Sequence, residues 1–377
     1  MEKSESRVGY DSKEEEIVKD SNFHFDGLAI CVKGKSSWID VIEEHTVNSE
    51  LGQSENTANR VDILLVDEQP QWLNSFDEDH VEIFRNGDLM QGRVRDKYFT
   101  KHKDGYGYYC TPSDRGTKFV VWGNRADLGA VSIIKTEVLK HYQRKYDNFI
   151  VMHGGSVVDK RDSSSIVITG VDYKHPRGNA TGKTTALMSL ALHQGTTYKY
   201  LSNDEVVLIA DNGDLDLRTL PSPIPVREGT FQQIERNGVT LKADQWVDID
   251  KTTGEKTQYI SPASIKSVGF ETESRSNSVK YWIFCNLSPS EESISVSSPE
   301  REEARRLFMK SIYFKRMNQS CDKKFLGDYY SNHSDLLDSE KTADVFFELL
   351  EKNGVRFVVL SGGLNMNNIY NTIESLS

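Results

Sequence analysis

The chain has few cysteines and no long apolar run, and these absences exclude several classes of protein. Among 377 residues there are four widely separated cysteines without CxxC spacing: Cys31, Cys110, Cys285 and Cys321. Such spacing predicts neither a zinc site nor a disulfide framework, and it favours a reducing compartment. No apolar stretch approaches the roughly 18 residues that a membrane-spanning helix needs, and no secretory leader is recognisable. We therefore expect a cytoplasmic protein without a membrane partner.

An excess of positive charge is also missing. The chain has 57 acidic and 46 basic residues, which gives a formal net charge of -11. This balance opposes general binding to nucleic acid, because nucleic-acid phosphates attract basic surfaces. We expect no nucleic-acid partner. The length suffices for two or three domains with a sizeable core.

Composition divides the chain into three predicted parts. Residues 1–20 are dominated by charged and small polar side chains, which cannot offset the entropy of ordering them, so we expect a disordered tail. Residues 21–128 contain short strand-like runs and the Asn86-Gly87 hairpin turn, which predict a β-rich accessory domain. Residues 129–377 mix strands with helical periodicity, beginning with a helix predicted at 131–146.

The first predicted strand covers residues 28–32. Gly34 is expected to end it, and Ser36 or Ser37 can cap the short helix that follows. Residues 61–66 form the next apolar, β-branched run, which predicts a second strand.

The most informative stretch of the chain lies between residues 164 and 210. Residues 166–169 form a β-branched run that ends at Gly170, which predicts a buried parallel strand. Residues 186–193 predict a helix, with Gly195 as a left-handed residue after its end. The segment before this helix resembles a P-loop, in which backbone N–H groups and a helix N-terminus hold phosphate oxygens. It consists of Gly178, Asn179, Ala180, Thr181, Gly182, Lys183, Thr184 and Thr185.

In a P-loop the lysine and the residue after it have defined roles. Lys183 is expected to neutralise the β- and γ-phosphates of ATP, and Thr184 is expected to ligate Mg²⁺. The spacing departs from GxxxxGK[ST], because Arg177 stands where the first glycine is required and Gly178 follows one residue late. Residues 171–177 form a basic insertion. They either add phosphate contacts or form a solvated bulge.

An acidic turn and a histidine complete the set of candidate site residues. The turn Ser202-Asn203-Asp204-Glu205 precedes an apolar strand. A carboxylate beside a P-loop can hold a metal or accept the proton of an attacking hydroxyl, and Asp204 is the leading candidate. The alternative is an Asx-type turn residue that starts the strand. His153 follows a strand at residues 149–152, and it either lies near the phosphate loop or is a packed or solvated histidine.

The order of HGGSVV, an apolar strand ending in glycine, TGKTT and LSNDEVVLI resembles the HPr kinase/phosphorylase-like kinases. It is more distantly similar to the P-loop PEP carboxykinases. This resemblance, over about residues 130–377, implies an α/β P-loop kinase domain behind the N-terminal β-rich unit. It implies that His153 lies close to the transferring phosphate. Asn203 and Asp204 stand where the family usually has two aspartates that hold the metal, and Asp204 would be the base on the acceptor hydroxyl.

The sequence thus predicts transfer of the γ-phosphoryl group of ATP to a hydroxyl, with Mg²⁺. The sequence does not choose between a serine of a peptide or protein and a small-molecule alcohol as the acceptor. It also leaves open whether the chain forms a homo-oligomer. Asn203 and the inserted loop also fit a catalytically inactive nucleotide-binding regulator or scaffold. A third alternative is a carboxykinase-like lyase, which needs a separate arginine site for a carboxylate. Arg301, Arg305 and Arg306 either contact phosphate or are solvated.

Overall fold

The computed structural model describes residues 18–46, 60–74, 82–86, 89–94, 97–102, 107–113, 116–146, 148–171, 181–211, 213–243, 247–249, 254–288, 291–312 and 339–376. Within these ranges, helices pack on two sheets of mixed strand direction and two antiparallel sheets, so the fold belongs to the α/β class. No helix within these ranges is both long and apolar enough to cross a membrane.

The first part of the chain forms an eight-stranded sheet in the order β1-β2-β3-β8-β7-β6-β5-β4, in which β3 pairs parallel with β2 and β8. Its strands are β1 (Val18–Phe25), β2 (Leu28–Lys35), β3 (Arg60–Val66), β4 (Glu82–Asn86), β5 (Leu89–Val94), β6 (Lys97–His102), β7 (Gly107–Ser113) and β8 (Gly116–Trp122). Helix α1 spans Ser36–Thr46 and helix α2 spans Ala126–Lys145. The predicted hairpin at Asn86 is confirmed, because Asn86 lies opposite Leu89 across β4 and β5.

Two boundaries in this sheet differ from the prediction. β1 begins at Val18, so residues 18–20 belong to a strand rather than to a disordered tail, and residues 1–17 lie outside the described part. Gly34 does not end the strand but lies inside β2, opposite Lys19. A Cβ atom on Gly34 would lie 2.7 Å from Cβ of Leu65, so the glycine permits close approach of the neighbouring strand.

The second part of the chain contains a six-stranded sheet, β12-β10-β11-β19-β21-β20, a four-stranded sheet, β18-β14-β13-β9, and a three-stranded sheet, β15-β17-β16. The strands are β9 (Phe149–Met152), β10 (Gly154–Asp159), β11 (Ser165–Gly170), β12 (Tyr198–Ser202), β13 (Val206–Asp211), β14 (Asp214–Arg218), β15 (Ile224–Arg227), β16 (Val247–Ile249), β17 (Lys256–Ile260), β18 (Arg275–Ser276), β19 (Val279–Ser288), β20 (Ile294–Ser297) and β21 (Arg356–Gly363). The helices are α3 (Lys183–Ala191), α4 (Glu228–Arg236), α5 (Pro262–Ser267), α6 (Arg301–Ser311), α7 (Ser339–Lys352) and α8 (Met366–Glu374).

Strand β11 and helix α3 confirm the strand and helix predicted on either side of the expected phosphate loop. Every residue of β11 is buried, and the strand pairs parallel with β19 and antiparallel with β10. Its alternating side chains face two different cores: Ile166 and Ile168 pack with α3 and α8, whereas Val167 packs with α6 and α7. Because helices cover both faces, an uninterrupted apolar run is stable in this strand. Gly195 has the predicted left-handed φ of 74°.

Helix α2 belongs to both parts of the chain, which the predicted boundary between residues 128 and 129 did not anticipate. It begins at Ala126 and packs on α1 and on the eight-stranded sheet. The same apolar core includes Val151 of β9 and Val207 of β13. The accessory unit and the second unit therefore share one core across α2.

The turn between β1 and β2 adds a polar contact between the two parts. The carboxylate of Asp26 lies 2.6 Å from Nζ of Lys145 and 2.7 Å from a terminal nitrogen of Arg218, and Tyr146 donates a hydrogen bond to it. The exposed fraction of the Arg218 side chain is only 8%. This cluster joins the hairpin tip to the end of α2 and to β14.

Candidate functional site

The described part of the predicted phosphate loop lies between the carboxyl end of β11 and the first turn of α3. Gly178, Asn179, Ala180 and nearly all of the inserted segment fall outside the described residues. Thr181 and Gly182 precede the helix, which begins at Lys183. The backbone N–H groups of a first helical turn have no partner within the helix, so this position suits an anion.

Gly182 holds the loop close to β19 and to the segment that follows β21. It is the N-terminal cap of α3 and has a left-handed φ of 73°. A Cβ atom here would lie 2.6 Å from both Leu287 Cβ and Leu364 Cδ2. The backbone N–H of Leu287 donates a 3.0 Å hydrogen bond to the carbonyl oxygen of Thr181. Conformation and space together therefore require glycine at residue 182.

Lys183 and Asp204 meet at this edge of the sheet. Nζ of Lys183 donates a 2.5 Å hydrogen bond to Oδ1 of Asp204. The exposed fraction is 9% for the Lys183 side chain and 33% for that of Asp204. Burial acts to raise the pKa of Asp204, but the positive charge of Lys183 and then that of His153 outweigh burial and lower it. Asp204 is therefore a carboxylate at neutral pH.

The backbone at Asp204 is held in an uncommon conformation. Its φ is 65°, in the left-handed region, which aspartate enters more readily than most residues but at some cost. The N–H of Gly154 donates to the carbonyl oxygen of Asp204, and the hydroxyl of Ser202 donates to that of Glu205. The Asp204 side chain bonds Lys183 rather than its own turn. The side chain of an Asx-turn residue would instead bond the backbone of its own turn, so the contact of Asp204 differs from that alternative.

His153 lies between two sheets. It follows β9, and its backbone N–H donates a 2.6 Å hydrogen bond to the carbonyl oxygen of Ser311. The next residue begins β10, the antiparallel neighbour of β11. The N–H of Gly154, the next residue, bonds the carbonyl oxygen of Asp204, so the structure places His153 beside the acidic turn, where a protonated imidazole lowers the pKa of Asp204.

Asn203 places an unpartnered amide beside this group. The residue is 4% exposed, and neither side-chain polar atom has a hydrogen-bond partner among the described residues. A buried amide without a partner is costly, so such a group points to a polar ligand. Among the described residues no three His, Cys, Asp or Glu side chains cluster as a metal site. Thr184, half-buried in the first turn of α3, Asn203 and Asp204 offer oxygen ligands of the kind Mg²⁺ binds together with phosphate.

Thr185 does not direct its hydroxyl to a ligand. It is buried, and its Oγ1 lies 2.7 Å from Oγ1 of Thr230 on α4. Through this hydrogen bond Thr185 joins α3 to α4, and its role in nucleotide binding stays a prediction.

The three arginines of α6 form ion pairs on the surface. Arg301 pairs with Glu351, Arg305 with Asp344 and Arg306 with Glu303. All three side chains are more than one-third exposed. This arrangement agrees with the solvated alternative rather than with phosphate contact.

Two features of the site were not predicted from the sequence. A Cβ atom on Gly155 would lie 2.7 Å from Leu187 Cδ2 and 3.0 Å from the carbonyl oxygen of Ser202, so this glycine lets the acidic turn approach α3. The Gly154-Gly155 pair after His153 is a local pattern that could have indicated such an approach. Lys135 of α2 pairs with Glu205 at 3.0 Å, across 70 residues of sequence, and no local pattern indicates it.

No model of a known protein family matches the chain, and no curated protein matches it in sequence.

Proposed function

We propose that the protein is an ATP-dependent phosphotransferase that moves the γ-phosphoryl group to a hydroxyl. The observation that carries this proposal is the 2.5 Å contact between Lys183 and Asp204 at the start of α3. A kinase needs a cation for the phosphates and a carboxylate for the acceptor within one small space, because most of its catalysis is positioning and charge stabilisation. This pair supplies both groups.

The residues present fit a nucleotide triphosphate. The first turn of α3 offers unpaired N–H groups and the positive end of a helix dipole. Gly182 brings the backbone to this point without a side chain. Lys183 would bind the β- and γ-phosphates, and the buried amide of Asn203 could bond a phosphate oxygen or a metal ion. An anion bound here would compete with Asp204 for the ammonium group of Lys183.

The oxygen ligands at the site also fit Mg²⁺, which Thr184, Asn203 and Asp204 would hold together with phosphate oxygens. When bound, this ion neutralises charge on the phosphate oxygens. One carboxylate is sufficient for such a site, since Mg²⁺ commonly takes one or two protein carboxylates and completes its shell with phosphate and water.

In the proposed reaction the acceptor oxygen forms a bond to the γ-phosphorus, and the bond to the bridging oxygen of ADP breaks. The acceptor proton passes to the carboxylate of Asp204, which its lowered pKa keeps ionised. Lys183 stabilises the charge that develops on the phosphate oxygens. His153 lies near enough to Asp204 for a protonated imidazole to help lower the pKa of that carboxylate.

The acceptor in this proposal is the hydroxyl of a peptide, a protein or a small molecule. The net charge of -11 argues against nucleic acid as the acceptor. A cytoplasmic location, where ATP and Mg²⁺ are abundant, is part of the same proposal.

One observation favours a second candidate, a nucleotide-binding regulator or scaffold without turnover. Asn203 is neutral where the resemblance leads one to expect an aspartate, so the site offers Mg²⁺ one carboxylate fewer. Such a protein would bind ATP and release no phosphate to any acceptor.

The test is incubation with γ-labelled ATP, Mg²⁺ and a pool of peptides and metabolites, with binding of MgATP measured in parallel. We expect Lys183→Ala to weaken binding, and Asp204→Asn to keep binding but abolish transfer. Lys280→Ala and Asp162→Asn are matched controls. In this second Lys–Asp pair, 3.2 Å apart, Asp162 precedes β11 and Lys280 lies at the start of β19, which is parallel to β11, so the pair lies at the opposite end of the strand.

Each other outcome has a defined meaning. Equal transfer by wild type and Asp204→Asn would reject Asp204 as the base. Binding without transfer in the wild type would select the regulator. An absence of MgATP binding would reject both candidates.

A further inference from the structure

Helix α2, which packs with both units, places a charged side chain at the candidate site. Lys135 lies midway along α2, and its Nζ is 3.0 Å from Oε2 and 3.1 Å from Oε1 of Glu205. The exposed fraction is 25% for the Lys135 side chain and 6% for that of Glu205. Glu205 is the residue directly after Asp204 in the acidic turn.

A carboxylate as buried as that of Glu205 needs a positive partner. Without one, its desolvation is uncompensated, and removal of the partner of a buried ion pair is strongly destabilising. Among the described residues, the cation paired with Glu205 is Lys135. Loss of Lys135 would therefore drive Glu205 towards solvent, and Asp204 would move with it because the two residues share one turn.

The turn has little freedom to absorb such a movement. Asp204 is in the left-handed region, and its carbonyl oxygen accepts from Gly154. A Cβ atom on Gly155 would meet both Leu187 of α3 and the carbonyl oxygen of Ser202, so the turn lies close against the helix. A displacement of Glu205 would therefore change the orientation of the Asp204 carboxylate relative to Lys183.

We propose that Lys135 is a positioning residue of the candidate site, through which helix α2, shared by the two units, holds the acidic turn in place against α3. The inference rests on the proposed function for its kinetic consequence. Its structural consequence, the order of residues 202–206, can be measured without any activity.

The first test is the full-length Lys135→Met protein, which retains the apolar part of the side chain and loses the charge. We expect kcat for release of phosphate from MgATP to fall roughly 10- to 100-fold, as for partners that orient a reacting group, with KM for MgATP within about twofold. Arg144→Met is the matched control. It removes a cation from the same helix, about 13 Å further along its axis, and should leave both constants unchanged.

Rescue separates positioning from general destabilisation. Lys135→Arg keeps the ion pair and should restore most of kcat. The double variant Lys135→Met with Glu205→Gln removes both charges, leaves no unpaired ion and should fold and turn over better than Lys135→Met alone. A double variant as slow as Lys135→Met would contradict the proposal.

The second test is hydrogen–deuterium exchange of the peptide that contains residues 202–206, in the absence of nucleotide. We expect exchange in Lys135→Met to be at least tenfold faster than in wild type and in Arg144→Met, with core strand β11 unchanged. If wild type neither binds nor turns over MgATP, the proposed function fails and this measurement alone decides the inference. Unchanged exchange in Lys135→Met would overturn it.

Discussion

Lys183 and Asp204 share a hydrogen bond of 2.5 Å although they lie 21 residues apart, on α3 and on the turn before β13. The bond spans the gap between the helix and the six-stranded sheet's edge, where β12 ends. The pair consequently contributes to the stability of the fold as well as to any chemistry at the site.

Replacing Asp204 by Asn should measure that contribution. Asparagine keeps the shape of the side chain and tolerates a left-handed backbone. It leaves the buried ammonium group of Lys183 without a negatively charged partner at residue 204. Because the carboxylate is one-third exposed, we expect a loss of about 1–2 kcal/mol in the free energy of unfolding by urea. The control is Asp20→Asn. Asp20 pairs with Lys33 at 3.6 Å on the exposed surface, so this substitution should lower the free energy of unfolding by less than about 0.5 kcal/mol. Equal losses at the two positions would argue against a stabilising pair.

The backbone at Asp204 gives a second prediction. Its φ of 65° disfavours residues with a Cβ atom. We therefore expect Asp204→Gly to be more stable than Asp204→Ala by about 1 kcal/mol, although both remove the same carboxylate. Urea unfolding of the two variants measures the difference. A more stable alanine variant would mean that the turn does not hold this conformation in solution.

Gly182 and Gly195 form a matched pair for the third prediction. Both have a left-handed φ, 73° and 74°, but a Cβ atom would be crowded only at Gly182. Gly195→Ala should cost about 1 kcal/mol through backbone strain alone. Gly182→Ala should cost a further 1–3 kcal/mol or so through overpacking against Leu287 and Leu364, and it should weaken MgATP binding. Thermal unfolding and calorimetric titration provide the two measurements.

The Asp26 cluster predicts the acid behaviour of the protein. Burial acts to raise the pKa of Asp26, but hydrogen bonds from Lys145 and Tyr146 and the charge of Arg218 outweigh it and lower the pKa to about 2. Because the folded value is below the unfolded value of about 3.9, the stabilisation is complete above roughly pH 4 and is lost as the pH falls towards 2. It amounts to roughly 2 kcal/mol.

Asp26→Asn should therefore lose roughly 2 kcal/mol at neutral pH and show a flatter stability curve between about pH 4 and 2. Asparagine is suited to the left-handed φ of 52° at this residue, so the comparison isolates the charge. Urea unfolding at several pH values provides the curve. A variant curve parallel to that of wild type would exclude Asp26 as a source of acid sensitivity.

Strand β11, helix α3 and the turn at Gly195 could be predicted because their determinants are local. The β-branched run of β11, the helix formers of α3 and the glycine at 195 lie within a few residues of the features they specify. The contact between Lys183 and Asp204 requires in addition that β11 and β12 flank β10, a strand order that no local pattern in the sequence specifies.

The features that escaped prediction depend on distant parts of the chain. Gly34 continues a strand because Leu65 of a neighbouring strand packs over it. Lys135 meets Glu205 only after the accessory unit has packed on β9 and β13. β20 is missing from the strands that the sequence predicts, because its four residues are mostly exposed and form a strand by pairing with β21.

The position of helix α2 also affects how fragments of this protein would behave when they are produced separately. A fragment starting at residue 129 would begin inside the helix and bare the apolar side of Ile134, Val138 and Tyr142, which the missing strands cover in the intact chain. Such a fragment should aggregate rather than behave as a free-standing domain, since an uncovered apolar patch of this kind favours self-association. The two parts of the protein are thus expected to fold and to unfold together.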